Sequence, residues 1–275
     1  MYRIGIDVGG TFTDFTLIDE RAGDVKFHKV PSTPHDPSEA IERGIAEMLQ
    51  AHRIAADQVA HVGHGTTVAT NLIIERKGSP VGLITTRGFR DILEIGRQTR
   101  PHLFDYGVGK PPTLVPRRHR LEVDERMSAQ GDVLVKLDET EVRNAALALR
   151  EAGLDAVAIC FLHAYANPAH EQRAKEIVRE VLPAAYISIS SEVLPEFREY
   201  ERLSTTVLNA AVGPRMARYL DRFLDRVRQL GVPHQPYTIH SNGGLMSAVS
   251  VRQFPVRTCL SGPAAGVVGA AAGGR

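Results

Sequence analysis

Two adjacent glycines near the N-terminus, Gly9 and Gly10, force the chain to double back between two short alternating segments. Arg3 to Asp7 reads as a strand with Ile4 and Ile6 on one face. Phe12 to Asp19 reads as a second strand, in which Phe15 and Leu17 alternate with Asp14, Thr16 and Ile18. A Gly-Gly pair at such a position predicts a tight hairpin, because glycine reaches positive φ without steric cost.

The residues around this bend carry chemistry. Asp7 ends the first strand, and Thr11 and Thr13 follow the turn. A carboxylate, bare backbone N–H groups and hydroxyls around one bend suit a phosphate group and its magnesium. The plain alternative is an ordinary hairpin with a surface aspartate, which Gly-Gly alone would favour. The added Asp7, Thr11, Thr13 and Asp14 favour the phosphate. The turn is neither a P-loop nor a dinucleotide fingerprint, since the spacings Gly-x-x-x-x-Gly-Lys-Ser/Thr and Gly-x-Gly-x-x-Gly are not met here.

Further elements follow in a regular order. Val25 to Val30 extends the hairpin as a third strand. Asp36-Pro37-Ser38-Glu39 predicts a helix start, with Ile41, Ile45, Met48 and Leu49 forming one apolar face out to His52. Val59 to Gly63 is a short strand, and a helix after it should reach Lys77 and end at Gly78. Val81 to Thr85 is another strand, followed by a short helix around Phe89 to Glu94. The order β-β-β-α-β-α-β-α predicts a mixed sheet with helices on its faces.

Residues 97–118 form a proline- and arginine-rich connector, and loops of this length are often functional. Short strands are expected near Arg120 to Glu125 and Val133 to Leu137. A capped helix from Asp138, a continuously apolar strand at Ala156 to Leu162, a helix from Asn167-Pro168 and a strand at Tyr186 to Ile189 make a βαβ-like unit. Glu199 to Leu230 is helical in pattern with an expected interruption at Gly213-Pro214. Its second half carries a core-facing stripe of Met216, Tyr219, Leu220, Phe223, Leu224, Val227 and Leu230. Tyr237 to His240 reads as a strand, and the chain closes on a Gly/Ala-rich, helix-like tail.

Composition narrows the class. An apolar content of 43% over 275 residues suffices for a soluble core, and a net charge of +1 argues against nucleic acid or membrane partners. No apolar run approaches the ~20 residues of a membrane span, and no signal-peptide pattern opens the chain. Cys160 and Cys259 both lie in apolar contexts, so buried thiols in a reducing cytoplasm are expected, not a disulfide framework or a Cys-rich zinc site.

Four further groups qualify as site candidates. Gly65-Thr66-Thr67 sits between a strand and a helix, where it could hold an anion or simply cap the helix, and Asn71 lies one turn on. His64 precedes them, although a histidine there reads more readily as packed or solvated. Arg97 is the arginine of the middle region best placed for a carboxylate or phosphate. Gly243 and Gly244 of Ser241-Asn242-Gly243-Gly244, and Gly262 of Ser261-Gly262-Pro263, permit close approach of backbone to a ligand, or serve turn chemistry alone.

The opening hairpin resembles the first phosphate loop of the ATPase class that contains actin, Hsp70 and the sugar kinases. The stretches Gly63 to Asn71, Val81 to Asp91, Pro195 to Arg202 and Leu260 to Gly266 resemble the hydantoinase A/5-oxoprolinase family in order and over essentially the whole chain. The resemblance implies an α/β, RNase H-like fold, a mixed sheet with flanking helices forming a first lobe, plus an α/β subdomain. It implies an N-terminal family region over 1–190 and the start of the hydantoinase A core over 191–275. It also implies ATP-dependent opening of a cyclic amide by phosphorylation of the amide oxygen, with related members activating ketones for carboxylation. By position, Asp7 would orient Mg2+, and Gly9, Gly10, Thr11 and Thr13 would cradle the β/γ-phosphates of ATP. Gly243, Gly244 and Gly262 would join the nucleotide site, and His64, Thr66, Thr67, Asn71 and Arg97 the substrate site. A B-type hydantoinase subunit or domain and an oligomeric full-length form are the partners the family implies.

Family members run much longer, and a second phosphate loop of Asp-x-Gly-Gly-Thr type is expected after Leu260 to Gly266. The chain therefore reads as an N-terminal portion that does not turn over ATP alone. Two alternatives remain: a carbohydrate kinase of the same class, whose cysteine-rich zinc motif two cysteines cannot make, and a non-catalytic nucleotide-binding or assembly module.

Overall fold

The computed structural model describes residues 1–273. In chain order the first elements are β1 (Tyr2–Val8), β2 (Phe12–Asp19), β3 (Val25–Pro31), α1 (Pro37–His52), β4 (Val59–Thr66) and α2 (Val68–Ile74). The middle holds β5 (Val81–Thr86), α3 (Ile92–Ile95), β6 (Arg120–Val123), β7 (Arg126–Met127), β8 (Val133–Val135) and α4 (Glu139–Glu151). It continues with β9 (Ala156–Cys160), α5 (Ala169–Val181), β10 (Tyr186–Ile189) and α6 (Ser190–Val193). Last come α7 (Glu199–Gln229), β11 (Tyr237–Ile239), β12 (Leu245–Ser247), α8 (Ala248–Gln253) and α9 (Ser261–Gly273).

These elements form two compact units, one of residues 1–77 with 215–275 and one of residues 78–214. The partition is spatial and cuts across a division of the sequence at residue 190.

The first unit is built on a six-stranded sheet in the order β12-β11-β4-β1-β2-β3. β1 pairs antiparallel with β2 and parallel with β4, and β4 pairs parallel with β11. The run β3-β2-β1-β4-β11, with β2 reversed, is the RNase H-like order. One face is apolar: Ile4, Ile6, Val8, Phe15, Leu17 and Val30 are buried, as are Ile41, Ile45, Met48 and Leu49 of α1. α1 begins where expected, because Asp36 accepts from the Ser38 amide. It lies against the sheet closely enough that a Cβ on Gly44 would sit 2.2 Å from the Phe15 ring.

The second unit is three-layered. Its sheet, β10-β9-β5-β6, is wholly parallel, with β9 buried along its full length. One face packs on α4 and α5 through Val142, Leu149, Ala174 and Ile177. The other packs on the first part of α7 through Leu203, Val207 and Ala210, with Ile92 and Leu93 beside them. A parallel strand covered on both faces explains the unbroken apolar run of β9.

Three expectations change. β5 does not join the N-terminal sheet; it is a central strand of the second, and β11 takes the place beside β4. α2 ends at Ile74, not Lys77, because Arg76 adopts φ 53 and the Arg76 and Lys77 amides turn back onto Ile73 and Leu72. α7 runs unbroken through Gly213-Pro214. A proline inside a helix costs one hydrogen bond and a steric clash. Beside the proline, Ser79 N–H donates to Ala211 O at 2.7 Å, and Gly213 lies so close to Tyr186 that a Cβ would sit 2.2 Å from its ring.

Candidate active site

The parallel strands β1, β4 and β11 end along one edge of the first sheet, and three of the expected motifs meet there. Asp7 pairs in register with Gly65 on β4 and with Asp14 on β2. It is exposed, on the face of β1 opposite Ile6 and Val8. Gly65 leaves it open, since a Cβ there would come within 3.5 Å of Asp7 Oδ1. Asp14 is held by Lys29 at 2.9 Å, whereas Asp7 makes no ion pair among the described residues. Partial burial, then the charge of Asp14, raise the Asp7 carboxyl above its ordinary value. A cation between the two aspartates would reverse that effect.

The turn itself departs from expectation in its mechanics. Neither Gly9 nor Gly10 has positive φ. Gly9 is required by close approach instead: its N–H donates to Phe12 O at 3.1 Å, and a Cβ would sit 2.8 Å from that oxygen. Around Gly10 a Cβ would meet nothing within 4 Å. Thr11 is exposed at the bend. Thr13 is fully buried on the other face of β2, where its hydroxyl pairs with Ser32 Oγ at 3.0 Å. Ser32 Oγ in turn donates to Gly9 O at 2.8 Å, and Ser32 N–H to Thr11 O at 2.9 Å. Thr13 therefore braces the turn through Ser32. The alternation of Phe15 and Leu17 with Asp14 and Thr16 already implied that Thr13 points inward; Ser32 carried no signal of its own.

Beside the turn, β4 hands over to α2. Thr67 Oγ1 donates to Val8 O at 3.2 Å and accepts from Asn71 Nδ2 at 3.3 Å, so Thr67 and Asn71 sit at the end of β1. Thr66 is buried; its Oγ1 accepts from Val68 N–H, and its carbonyl accepts from Ser261 Oγ at 3.3 Å. That last bond brings the start of α9, and with it Gly262, to the same edge. Leu260, just before, holds a left-handed φ of 61 while its N–H donates to Thr70 Oγ1 at 3.0 Å. Gly243 and Gly244 form the β11–β12 turn, Gly243 with φ 84 and a Cβ position 2.7 Å from Val268 Cγ2.

His64 and Arg97 do not join this group. His64 is fully buried in the first unit: its Nε2 lies 2.9 Å from Tyr219 Oη and its Nδ1 3.1 Å from Thr238 Oγ1. Burial pushes its pKa down to about 4, which keeps the ring neutral. Both ring nitrogens are occupied, so its place is the core. Arg97 belongs to the second unit, where its Nε donates to Glu201 at 2.6 Å.

Cys160 is buried and its thiol is pushed up to about 12, mainly by desolvation, so it is no nucleophile. Among the described residues no helix is long and apolar enough to cross a membrane.

Residues 3–182 match the family model described as the hydantoinase/oxoprolinase N-terminal region, and residues 202–275 match hydantoinase/oxoprolinase. Caprolactamase subunit alpha of Pseudomonas jessenii is 42% identical over 96% of this chain and 38% of its own length. The crystal structure of ATP-dependent caprolactamase from the same organism superposes with a TM-score of 0.87 at 40% identity, covering 95% of this chain and 39% of that one. The nucleotide-free structure of an acetone carboxylase superposes with a TM-score of 0.88 at 29% identity, covering 98% and 40%. This chain thus spans about two fifths of the length of these three relatives. Sequence motifs, strand order and both superpositions agree: the chain belongs to the hydantoinase/oxoprolinase family.

Proposed function

We propose that the turn from Asp7 to Thr11 is the first phosphate loop of an ATP-dependent enzyme that opens a cyclic amide. The observation that carries this reading is the meeting of Asp7, the Gly9–Thr11 turn, Thr67 and the start of α9 at one sheet edge. The similarity to caprolactamase supports the amide.

The donor set fits ATP with magnesium. It offers carboxylate and hydroxyl oxygens with backbone amides, which suits a hard cation and a phosphate. Among the described residues no three acidic, histidine or cysteine side chains cluster as a metal cage. Magnesium keeps several waters and takes one or two carboxylates plus phosphate oxygens, so Asp7 together with the nucleotide's phosphates would suffice to hold it. When bound, ATP would supply the phosphoryl group that, placed on the amide oxygen, makes the amide carbon susceptible to attack by water.

The chain's own residues then have separate tasks. Asp7 orients the cation, directly or through water. The Gly10 and Thr11 amides and the Thr11 hydroxyl hold phosphate oxygens, while Ser32 and Thr13 keep the turn in shape. Thr67 and Asn71 border the same edge, where they would meet the substrate. At Gly262 a Cβ would meet no described residue within 4 Å, which leaves room for a ligand beside the backbone, whereas the Cβ positions of Gly243 and Gly244 face Val268 and Asn242.

A second reading, activation of a ketone for carboxylation, draws support from the acetone carboxylase likeness. The higher identity to caprolactamase favours the amide. The word "subunit" in the caprolactamase name supports a partner chain of the B type for the whole protein.

Binding of a fluorescent ATP analogue with magnesium tests the loop. Asp7→Asn should weaken it about tenfold or more, the scale of one charge-assisted contact. Equal affinity in the variant would remove Asp7 from the site. A coupled ATPase assay of the full-length protein, across lactams, hydantoins and ketones, tests the substrate; equal rates with every compound would defeat the cyclic-amide assignment.

A further inference from the structure

The second unit has a ligand-binding geometry of its own. In an open parallel sheet, ligands bind outside the carboxyl ends of the strands, at the point where strand order reverses. From β5 the chain moves to β6 on one side and later to β9 on the other, so the reversal lies between β5 and β9.

At that point the peptide joining Phe161 to Leu162 is gripped on both sides. Leu162 N–H donates to Thr86 Oγ1 at 3.0 Å. Thr86 Oγ1 donates to Glu125, whose other oxygen takes His170 Nδ1 at 2.9 Å. The Phe161 carbonyl accepts from Arg202 Nη2 at 3.0 Å. His163 follows with a left-handed φ of 56, a conformation rare for residues that carry a Cβ. Such local strain concentrates at ligand sites.

Arg202 is the anomaly. Its residue is 0% exposed, and among the described residues its Nε and Nη1 have no hydrogen-bond partner. It makes no ion pair among the described residues. Glu171, a buried carboxylate at the same strand end, is already committed to Phe161 N–H, Ser190 Oγ and Ser191 N–H. Tyr165 lays its ring 5.3 Å from the guanidinium carbon, which offers a π face but no anion. A buried guanidinium without its anion is strongly unfavourable, because it has lost water and gained no counter-charge.

A strand reversal suited to a ligand and a buried cation without a counter-ion coincide at the end of β9. We infer that the second unit binds a small carboxylate at the carboxyl ends of β5 and β9, with Arg202 as its charge partner.

The test uses this chain without nucleotide, so its outcome is independent of the phosphate loop. Arginine Nε–Hε resonances of the 15N-labelled protein are followed during titration with 5-oxoproline, acetate and 2-pyrrolidinone, which has the ring but no carboxylate. The Arg202 signal is assigned in the parent protein by through-bond correlation of its side chain to its backbone amide, and checked by its loss in Arg202→Lys. Both carboxylates should shift it saturably, 2-pyrrolidinone should not, and Arg202→Gln should weaken carboxylate binding at least about tenfold. Arg143→Lys, an exposed control, should bind as the parent does. An Arg202 signal unmoved by either carboxylate, or moved equally by 2-pyrrolidinone, would overturn the inference. The parent-protein titration decides even if the Arg202 variants fail to fold.

Discussion

Asp7 and Asp14 stand directly opposite each other on β1 and β2, and only Asp14 has a lysine, Lys29, beside it. Like charges facing each other across an antiparallel ladder repel. The arrangement leaves Asp7 as the aspartate of the pair open to an incoming cation.

The first prediction concerns that pair. Burial and Asp14 raise the Asp7 pKa in the folded state, so its ionisation opposes folding once pH rises past the ordinary carboxylate range. Below that range the effect vanishes. Asp7→Asn should therefore stabilise the protein at neutral pH and not at strongly acidic pH, by no more than about 1 kcal/mol for so exposed a group. Urea denaturation at both pH values measures it. Destabilisation at neutral pH would mean that Asp7 makes a favourable contact the repulsion account omits.

The two turn glycines should differ. A Cβ at Gly9 would meet the Phe12 carbonyl at 2.8 Å, and that oxygen belongs to rigid backbone. Gly9→Ala should cost about 1–3 kcal/mol and weaken ATP-analogue binding. Gly10→Ala should change stability by less than about 0.5 kcal/mol, as nothing lies within 4 Å of its Cβ. Equal costs at the two positions would show that close approach is not what selects glycine here.

Gly213→Ala sets helix propensity against packing. Alanine inside a helix is favoured over glycine by about 1 kcal/mol. The Tyr186 ring, 2.2 Å from the new Cβ, should outweigh this and leave a net loss of about 1–3 kcal/mol. In a Tyr186→Ala background the same change should become neutral or stabilising, and a double-mutant cycle of unfolding free energies reports the difference.

His64 predicts an acid limit for the first unit. Its pKa falls from the ordinary 6.5 to about 4 on folding. A histidine held neutral contributes its full stability above the unfolded value and loses it as pH falls toward the folded one. Between those limits the loss should approach about 3 kcal/mol as an upper bound. His64→Gln should flatten this part of the stability–pH curve while lowering stability at neutral pH, because Tyr219 and Thr238 lose their ring partner. An unchanged slope would show that other groups set the acid limit.

Much of this was legible in the residues. Asp36 before Pro37 marked the start of α1, and the alternation in Phe12–Asp19 gave β2 its bounds and its faces. The resemblance of the opening hairpin to a phosphate loop drew attention to Asp7. The role of Gly9 was misread: glycine is chosen there for proximity to Phe12 O, and proximity across a turn is not encoded in dihedral preference. Gly213-Pro214 was misread for a related reason, since a local helix breaker is overruled when Tyr186 needs the space beside it.

By itself the sequence determined the periods of the elements and their caps, because those depend on neighbours three or four residues apart. Only the tertiary structure decided which strand lies beside which. β4 and β11 are joined in register by His64 and Thr238, residues far apart in the chain, and β5 was drawn into a separate parallel sheet. Burial completed the decision. It closed His64 inside the core, turned Thr13 from ligand toward brace, and left Arg202 as a buried cation without an anion. Solvent exclusion and counter-charge are properties of the packed chain, and no local pattern of residues carries them.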